Sequence, residues 1–191
     1  MDIRSFLAFE LPRIVRTTLE QVVREMRRYD LPLRWVKPQN IHLTMVFLGN
    51  VKPEILKPIR EGVKGVCAEF GPFSAAVKGV GIFPNRKNPR VLWLGLEGEM
   101  ERLSRFRDAL QYSLTPFGIK EEKRPFRPHL TLGRFRKGTG KGPDLETVLS
   151  AYGAVESPLS VLPELVLFRS DLRPEGAIYT RLDAWPLSGS K

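Results

Sequence analysis

Short apolar runs alternate along this chain with amphipathic stretches of helical period. Residues 5–11 (SFLAFEL) predict a strand, and Pro12 ends it or opens the next helix. Ile14, Val15, Leu19, Val22, Val23 and Met26 then recur near helical spacing, which predicts a helix over 13–29. Residues 33–36 are a short extended piece and 38–40 a turn. A strand over 41–48 is closed by Gly49 and Asn50. Pro53 and Glu54 open a second helix, which runs to 70 and stops at Gly71 and Pro72. Residues 73–82 predict a strand with Phe73, Ala75, Val77 and Val80 inward. A basic loop (84–89) and a strand (90–96) follow. Met100, Leu103, Phe106, Leu110 and Leu114 mark a third helix over 99–114. After a loop over 115–125 come a strand over 126–135, a flexible loop over 138–143 and a short helix over 145–152. Strands at 164–169 and 177–185 are joined through 172–176 as a long hairpin connection.

The halves repeat this order. Leu7 lies 35 residues before His42, and Leu94 lies 35 residues before His129. Between them each half has a strand, a helix and a His-bearing strand, and a helix and a strand follow. This predicts two similar lobes, each a small sheet with two helices, in one α/β or α+β domain over 1–191. A pseudo-two-fold axis would bring the equivalent strands face to face, and ligand sites favour such clefts.

Composition narrows the class. The chain is 42% hydrophobic and 27% charged, as a soluble globular protein is. No signal peptide opens it and no run approaches the roughly 18 apolar residues of a membrane span, so a cytoplasmic location is expected. Cys67 is the one cysteine, which excludes an internal disulfide and a cysteine-rich metal site. The net charge of +10 favours polyanionic partners, and the basic residues are densest between Lys120 and Lys141, around His129. Residues 138–142 (GTGKG) invite comparison with a phosphate-binding loop. Gly142 stands where that motif needs Ser or Thr, so a surface loop is expected.

The chemistry sits in the two histidines. Each is followed by Leu and then Thr, as His42-Leu43-Thr44 and His129-Leu130-Thr131. Strand alternation puts His and Thr on one face and the aliphatics on the other. Random placement of threonine would give both histidines this neighbour roughly 1 time in 600. Neither histidine has an Asp or Glu within five residues, too few ligands for a usual zinc site. Neither has a G-x-S-x-G serine or an exposed cysteine to activate. Two imidazoles suit acid–base work, one taking a proton while the other gives one. Thr44, Thr131 and Arg134 would supply donors to a phosphate. That set fits phosphodiester chemistry without a metal. Phe9, Trp35 and Tyr179 are candidates for stacking on a base or ribose, beside their ordinary reading as core aromatics. Arg127, two residues before His129, shares its face if the strand extends that far.

The paired H-x-T motifs resemble those of the 2H phosphoesterase superfamily. FLAFELP (6–12), WV (35–36), NIHLT (40–44), FLG (47–49), PHLTLGR (128–134) and LRPEGAIY (172–179) are similar to the RNA 2′,3′-cyclic phosphodiesterases, formerly called 2′-5′ RNA ligases. The resemblance implies a bilobal α+β fold, two intertwined lobes of antiparallel sheet plus helices, with a central groove. It implies hydrolysis of an RNA 2′,3′-cyclic phosphate end to a 2′-phosphate, with no metal and no nucleotide cofactor. His42 would be the proton donor and His129 the proton acceptor. Thr44, Thr131 and Arg134 would hold the phosphate. Reversal would give 2′-5′ ligation. RNA ends, tRNA fragments among them, are the implied substrates, and a monomer without an obligate protein partner is expected. A relative of the same fold acting on a small cyclic or 2′-5′-linked nucleotide, and a non-catalytic RNA-binding module, are the alternatives. One departure from lobe symmetry stands out: Phe47 occupies the place in the first motif that Arg134 has in the second.

Overall fold

A computed structural model of the chain describes residues 1–138, 142–174 and 176–191. Residues 139–141, the centre of the glycine-rich loop, lie outside the described residues, as does Glu175 in the LRPEGAIY string.

The first half contains β1 (Ile3–Phe9), α1 (Arg13–Met26), β2 (Leu33–Trp35), β3 (Leu43–Val51), α2 (Leu56–Glu69) and β4 (Phe73–Phe83). The second contains β5 (Val91–Gly98), α3 (Met100–Leu114), β6 (His129–Phe135), α4 (Leu145–Ala151), β7 (Ser160–Leu162), β8 (Glu164–Arg173) and β9 (Gly176–Pro186). The strands form two antiparallel sheets, in the orders β3-β1-β8-β9 and β2-β6-β5-β4-β7. The fold is α+β with two similar halves. Each sheet is built around a pair that encloses a helix, β1 with β3 and β5 with β6. One strand that follows the second helix of each half crosses to the other sheet. β4 joins the second sheet beside β5, and β8 joins the first beside β1.

Periodicity becomes packing in a direct way. Val15, Leu19, Val22, Val23 and Met26 bury the inner stripe of α1, while Ile14 at its margin is 48% exposed. Leu103, Phe106, Leu110 and Leu114 do the same for α3. These side chains meet Leu7, Phe9, Leu43, Leu92, Leu94, Leu130 and Leu165 in one core that draws on both sheets. The opposite face of the first sheet carries a separate apolar group of Phe6, Ala8, Val166 and Phe168, with Tyr179 and Ala184 against it.

Several boundaries differ from those the sequence predicts. β6 starts at His129 rather than at 126, because Pro125 and Pro128 have no N–H for a ladder. β3 starts at Leu43, so His42 stands at its mouth, and runs through Gly49 and Asn50 to Val51. Gly49 takes φ 72, a left-handed conformation that bends the strand without ending it. The β8–β9 hairpin is longer than expected and pairs Arg173 with Gly176, so the predicted long connection is mostly strand. β7, three residues on the sheet edge, was too short to carry a period.

Candidate active site

Both histidines are held by the same local device. His42 Nδ1 lies 2.7 Å from the carbonyl oxygen of Asn40, and His129 Nδ1 lies 2.8 Å from that of Arg127. A carbonyl only accepts, so each Nδ1 carries the hydrogen and each Nε2 keeps its lone pair. The ring nitrogen left for chemistry is therefore the same atom in both halves. Asn40 adds a second anchor. Its side-chain amide donates to the Ala177 carbonyl at 2.7 Å and ties the turn before His42 to β9.

A β-bulge after each threonine then turns the strand. In the β1–β3 ladder Ala8 pairs with Thr44 and Leu7 with Val46, which leaves Met45 as the extra residue. In the β5–β6 ladder Trp93 pairs with Thr131 and Leu92 with Gly133, which leaves Leu132 extra. Paired residues share a face of the sheet. Strict alternation would place Phe47 and Arg134 opposite the histidines; the bulges return both to the histidine side. Phe47 is paired with Phe6, and Arg134 with Val91 and Arg34.

The two sheets face each other across this side. The charge of His129 bears on His42, and the charge of Arg134 bears on both His129 in its own sheet and Tyr179 in the other. Burial dominates the titration of both imidazoles. It lowers His42 from 6.5 to about 4, against the Asn40 hydrogen bond, with a further push from His129. Burial also lowers His129, with Arg134 adding to the push. Phe6 stacks on His42 at 4.6 Å between ring centroids, and Tyr179 meets it edge-on at 5.2 Å. Around His129 stand Phe83, edge-on at 4.9 Å, and Trp93 at 6.3 Å. Trp93 needs Gly81 opposite it, since a Cβ there would come within 2.2 Å of the indole.

Thr44 and Thr131 are half-buried, and neither hydroxyl has a hydrogen-bond partner among the described residues. Thr17, Thr18 and Thr115, by contrast, each donate to a backbone carbonyl within the preceding turn. No group of three or more His, Cys, Asp or Glu that could hold a metal ion occurs among the described residues. Cys67 is buried, and burial pushes its thiol up to about 12. Among the described residues no helix is long and apolar enough to cross a membrane.

A protein-family profile described as "LigT like Phosphoesterase" matches residues 9–93 and again residues 94–179. The chain belongs to the LigT-like phosphoesterase family. The two matches meet at β5, where the repeat begins again. A Methanothermobacter thermautotrophicus protein named RNA 2′,3′-cyclic phosphodiesterase is 32% identical over 187 residues, covering 98% of this chain and 100% of its own. One of the same name from Archaeoglobus fulgidus is 32% identical, covering 94% of this chain and 97% of its own. Among solved structures, TT0787 of Thermus thermophilus superposes with a TM-score of 0.83 at 28% identity, covering 99% of this chain and 100% of that one. E. coli LigT complexed with 3′-AMP gives 0.75 at 24% identity, covering 98% and 99%, a likeness of fold.

Within this LigT-like fold the residues singled out from sequence separate into two groups. His42, Thr44, His129, Thr131, Arg134 and Tyr179 lie around the groove between the sheets. Phe9 does not, which corrects its expected contact with RNA. Its side chain is fully buried, 5.9 Å from Phe73 and 6.0 Å from Phe106 between centroids. Phe6, the aromatic on the alternate face of β1, is the one beside His42. Trp35 is corrected likewise. Its partner Gly133 is on the core side, its ring packs against the core, and Arg27 lies 5.8 Å over it. Arg127 is exposed, and its carbonyl rather than its guanidinium holds His129. Sequence reasoning also passed over Asn40, Trp93 and Arg34. Arg34 sits directly opposite Arg134 across the ladder, and both are exposed. Like charges so placed repel, and a bound anion would relieve them. Their β2–β6 register was the missing signal.

Proposed function

We propose that this protein hydrolyses RNA 2′,3′-cyclic phosphate ends to 2′-phosphate ends, without a metal or a nucleotide cofactor. The observation that carries this is the matched pair of imidazoles, each with Nδ1 committed to a carbonyl and Nε2 free, beside two threonine hydroxyls without partners among the described residues. The names of the Methanothermobacter and Archaeoglobus relatives support the substrate.

His129 Nε2 takes a proton from water as the water oxygen bonds to phosphorus. The P–O3′ bond breaks, and His42 gives its proton to the departing O3′. The phosphate stays on O2′. Thr44 and Thr131 donate to non-bridging oxygens, and Arg134 offsets the charge that grows on them. Burial favours the neutral form of both imidazoles, so the proton on His42 depends on the incoming phosphodiester anion. Run backward from a terminal 2′-OH, the same steps join a 2′-5′ linkage. Both imidazoles come from one chain, and the two sheets exchange β4 and β8 around one core, which supports a single-domain monomer. A cytoplasmic enzyme acting on RNA fragments, including cleaved tRNA, accords with the net charge of +10.

The test is an end-group assay on a short RNA carrying a 2′,3′-cyclic phosphate, with EDTA present. A 2′-phosphate product from the native chain, lost in both His42→Ala and His129→Ala, is expected. A 3′-phosphate product, or full activity in either variant, would reject the mechanism.

A further inference from the structure

A row of paired residues crosses the second sheet on its histidine side. Phe83 of β4 pairs with Val91 of β5, Val91 with Arg134 of β6, and Arg134 with Arg34 of β2. Paired residues point to the same face of a sheet. A ring contact identifies that face: Phe83 lies edge-on to His129 at 4.9 Å between centroids. One end of the row is apolar, and the other holds two guanidiniums. Arg34 and Arg134 are both exposed, and neither meets a hydrogen-bonding or oppositely charged partner among the described residues. Side chains directly opposite on antiparallel strands stand roughly 5 Å apart at Cβ, so the two charges repel until an anion joins them.

The halves differ at this point. β3 is itself an edge of the first sheet, so Phe47 has no paired neighbour outside it. The second sheet carries β2 beyond β6, and β2 contributes Arg34. Leu33 and Trp35 on either side of it pair with Phe135 and Gly133 and pack on the core, which holds Arg34 on the opposite, histidine side. Arg34 stands one strand, about 4.8 Å, farther out than Arg134. In the reaction proposed above, Thr131 and Arg134 serve the reacting phosphate from this sheet. Arg34 is the next donor along the row toward the sheet edge.

We propose that Arg34 binds the phosphodiester immediately 5′ to the cyclic end, so that the RNA leaves the histidines over β2. This rests on the hydrolysis proposed above and adds how the enzyme tells an RNA from a mononucleotide. A 2′,3′-cyclic phosphate closes the 3′ end of a strand, so every further phosphate lies on its 5′ side. A nucleoside 2′,3′-cyclic phosphate has none to offer Arg34.

The test compares kcat/KM for a nucleoside 2′,3′-cyclic phosphate with that for a five-nucleotide RNA ending in the same group. The native chain should favour the RNA. Arg34→Ala should lower the ratio of the two values by about tenfold and flatten the salt dependence for the RNA by roughly 0.7, the share of one phosphate contact. Arg34→Lys keeps the charge and should keep the salt slope. A ratio and slope unmoved in Arg34→Ala, or a native chain that does not favour the RNA, would overturn the proposal while leaving the hydrolysis intact. So would an equal fall for both substrates, which would place Arg34 on the reacting phosphate instead. If the native chain opens neither substrate, the hydrolysis fails first and the role of Arg34 with it.

Discussion

The two histidine strands share a backbone and differ in what surrounds it. Each has a ring held through Nδ1 by the carbonyl two residues earlier, a threonine two residues later, and a bulge that brings the fifth residue after the histidine back to the same side. That fifth residue is Phe47 in one half, 63% exposed beside Phe6, and Arg134 in the other. His42 is enclosed by Phe6, Phe168 and Tyr179, and its titration drops to about 4. His129 has fewer aromatic neighbours and Arg134 at hand. Duplication explains the common device, and the neighbours divide the halves. One half encloses its imidazole in aromatic surface; the other sets the Arg134 charge near its own, the group proposed above to meet the phosphate.

The hardest break is to remove the shared part. His42→Ala and His129→Ala should each lower kcat by roughly 10²–10⁴-fold. Circular dichroism should confirm the fold, and single-turnover assays should give the rate. If either variant keeps native turnover, the halves do not act as an acid–base pair. Removing the unshared part comes next. Arg134→Ala should cost about 10²–10³-fold in kcat, as loss of a donor to a developing oxyanion does. The exchange Phe47→Arg/Arg134→Phe should not restore it, because Phe47 stands in the half that holds the enclosed imidazole. Recovery in the exchange variant would mean that the two halves are interchangeable.

Acid separates the two histidines through stability. The unfolded chain binds a proton on His42 near pH 6.5, whereas the folded chain does so only at about 4. Protons therefore favour unfolding in that interval. The contribution of His42 is present in full above pH 6.5 and is lost as the pH falls to about 4, on the order of 3 kcal/mol. Thermal melts at pH 7 and pH 4.5 should show a larger drop for the native chain than for His42→Gln; equal drops would refute the enclosure of His42. The threonines give the smallest effect. Thr44→Val and Thr131→Val should each cost about 10-fold in kcat/KM, the scale of one hydrogen bond to a charged group. A far larger loss in one of them would show that the phosphate leans on one half.

Much of this was legible in one dimension. The apolar periods of α1 and α3 predicted both helices and their buried stripes, since a helix that packs on a sheet must show a 3.6-residue period. The 35-residue interval exposed the duplication, and the doubled His-x-Thr exposed the chemistry. The faces of single residues were less legible. Phe9 and Phe6 lie in one apolar run, and nothing local says which belongs to the core. Trp35 and Arg34 are adjacent, and only the pairing of β2 with β6 turns Arg34 toward Arg134.

The sequence by itself determined that two equivalent strands each carry an imidazole and a hydroxyl, because alternation and periodicity are local properties of the chain. Tertiary structure decided three further matters. It exchanged β4 and β8 between the sheets, set the bulges at Met45 and Leu132 that return Phe47 and Arg134 to the histidine side, and brought Tyr179 beside His42 from β9. Each depends on the register between strands far apart in sequence, and register is an outcome of packing both faces of two sheets at once.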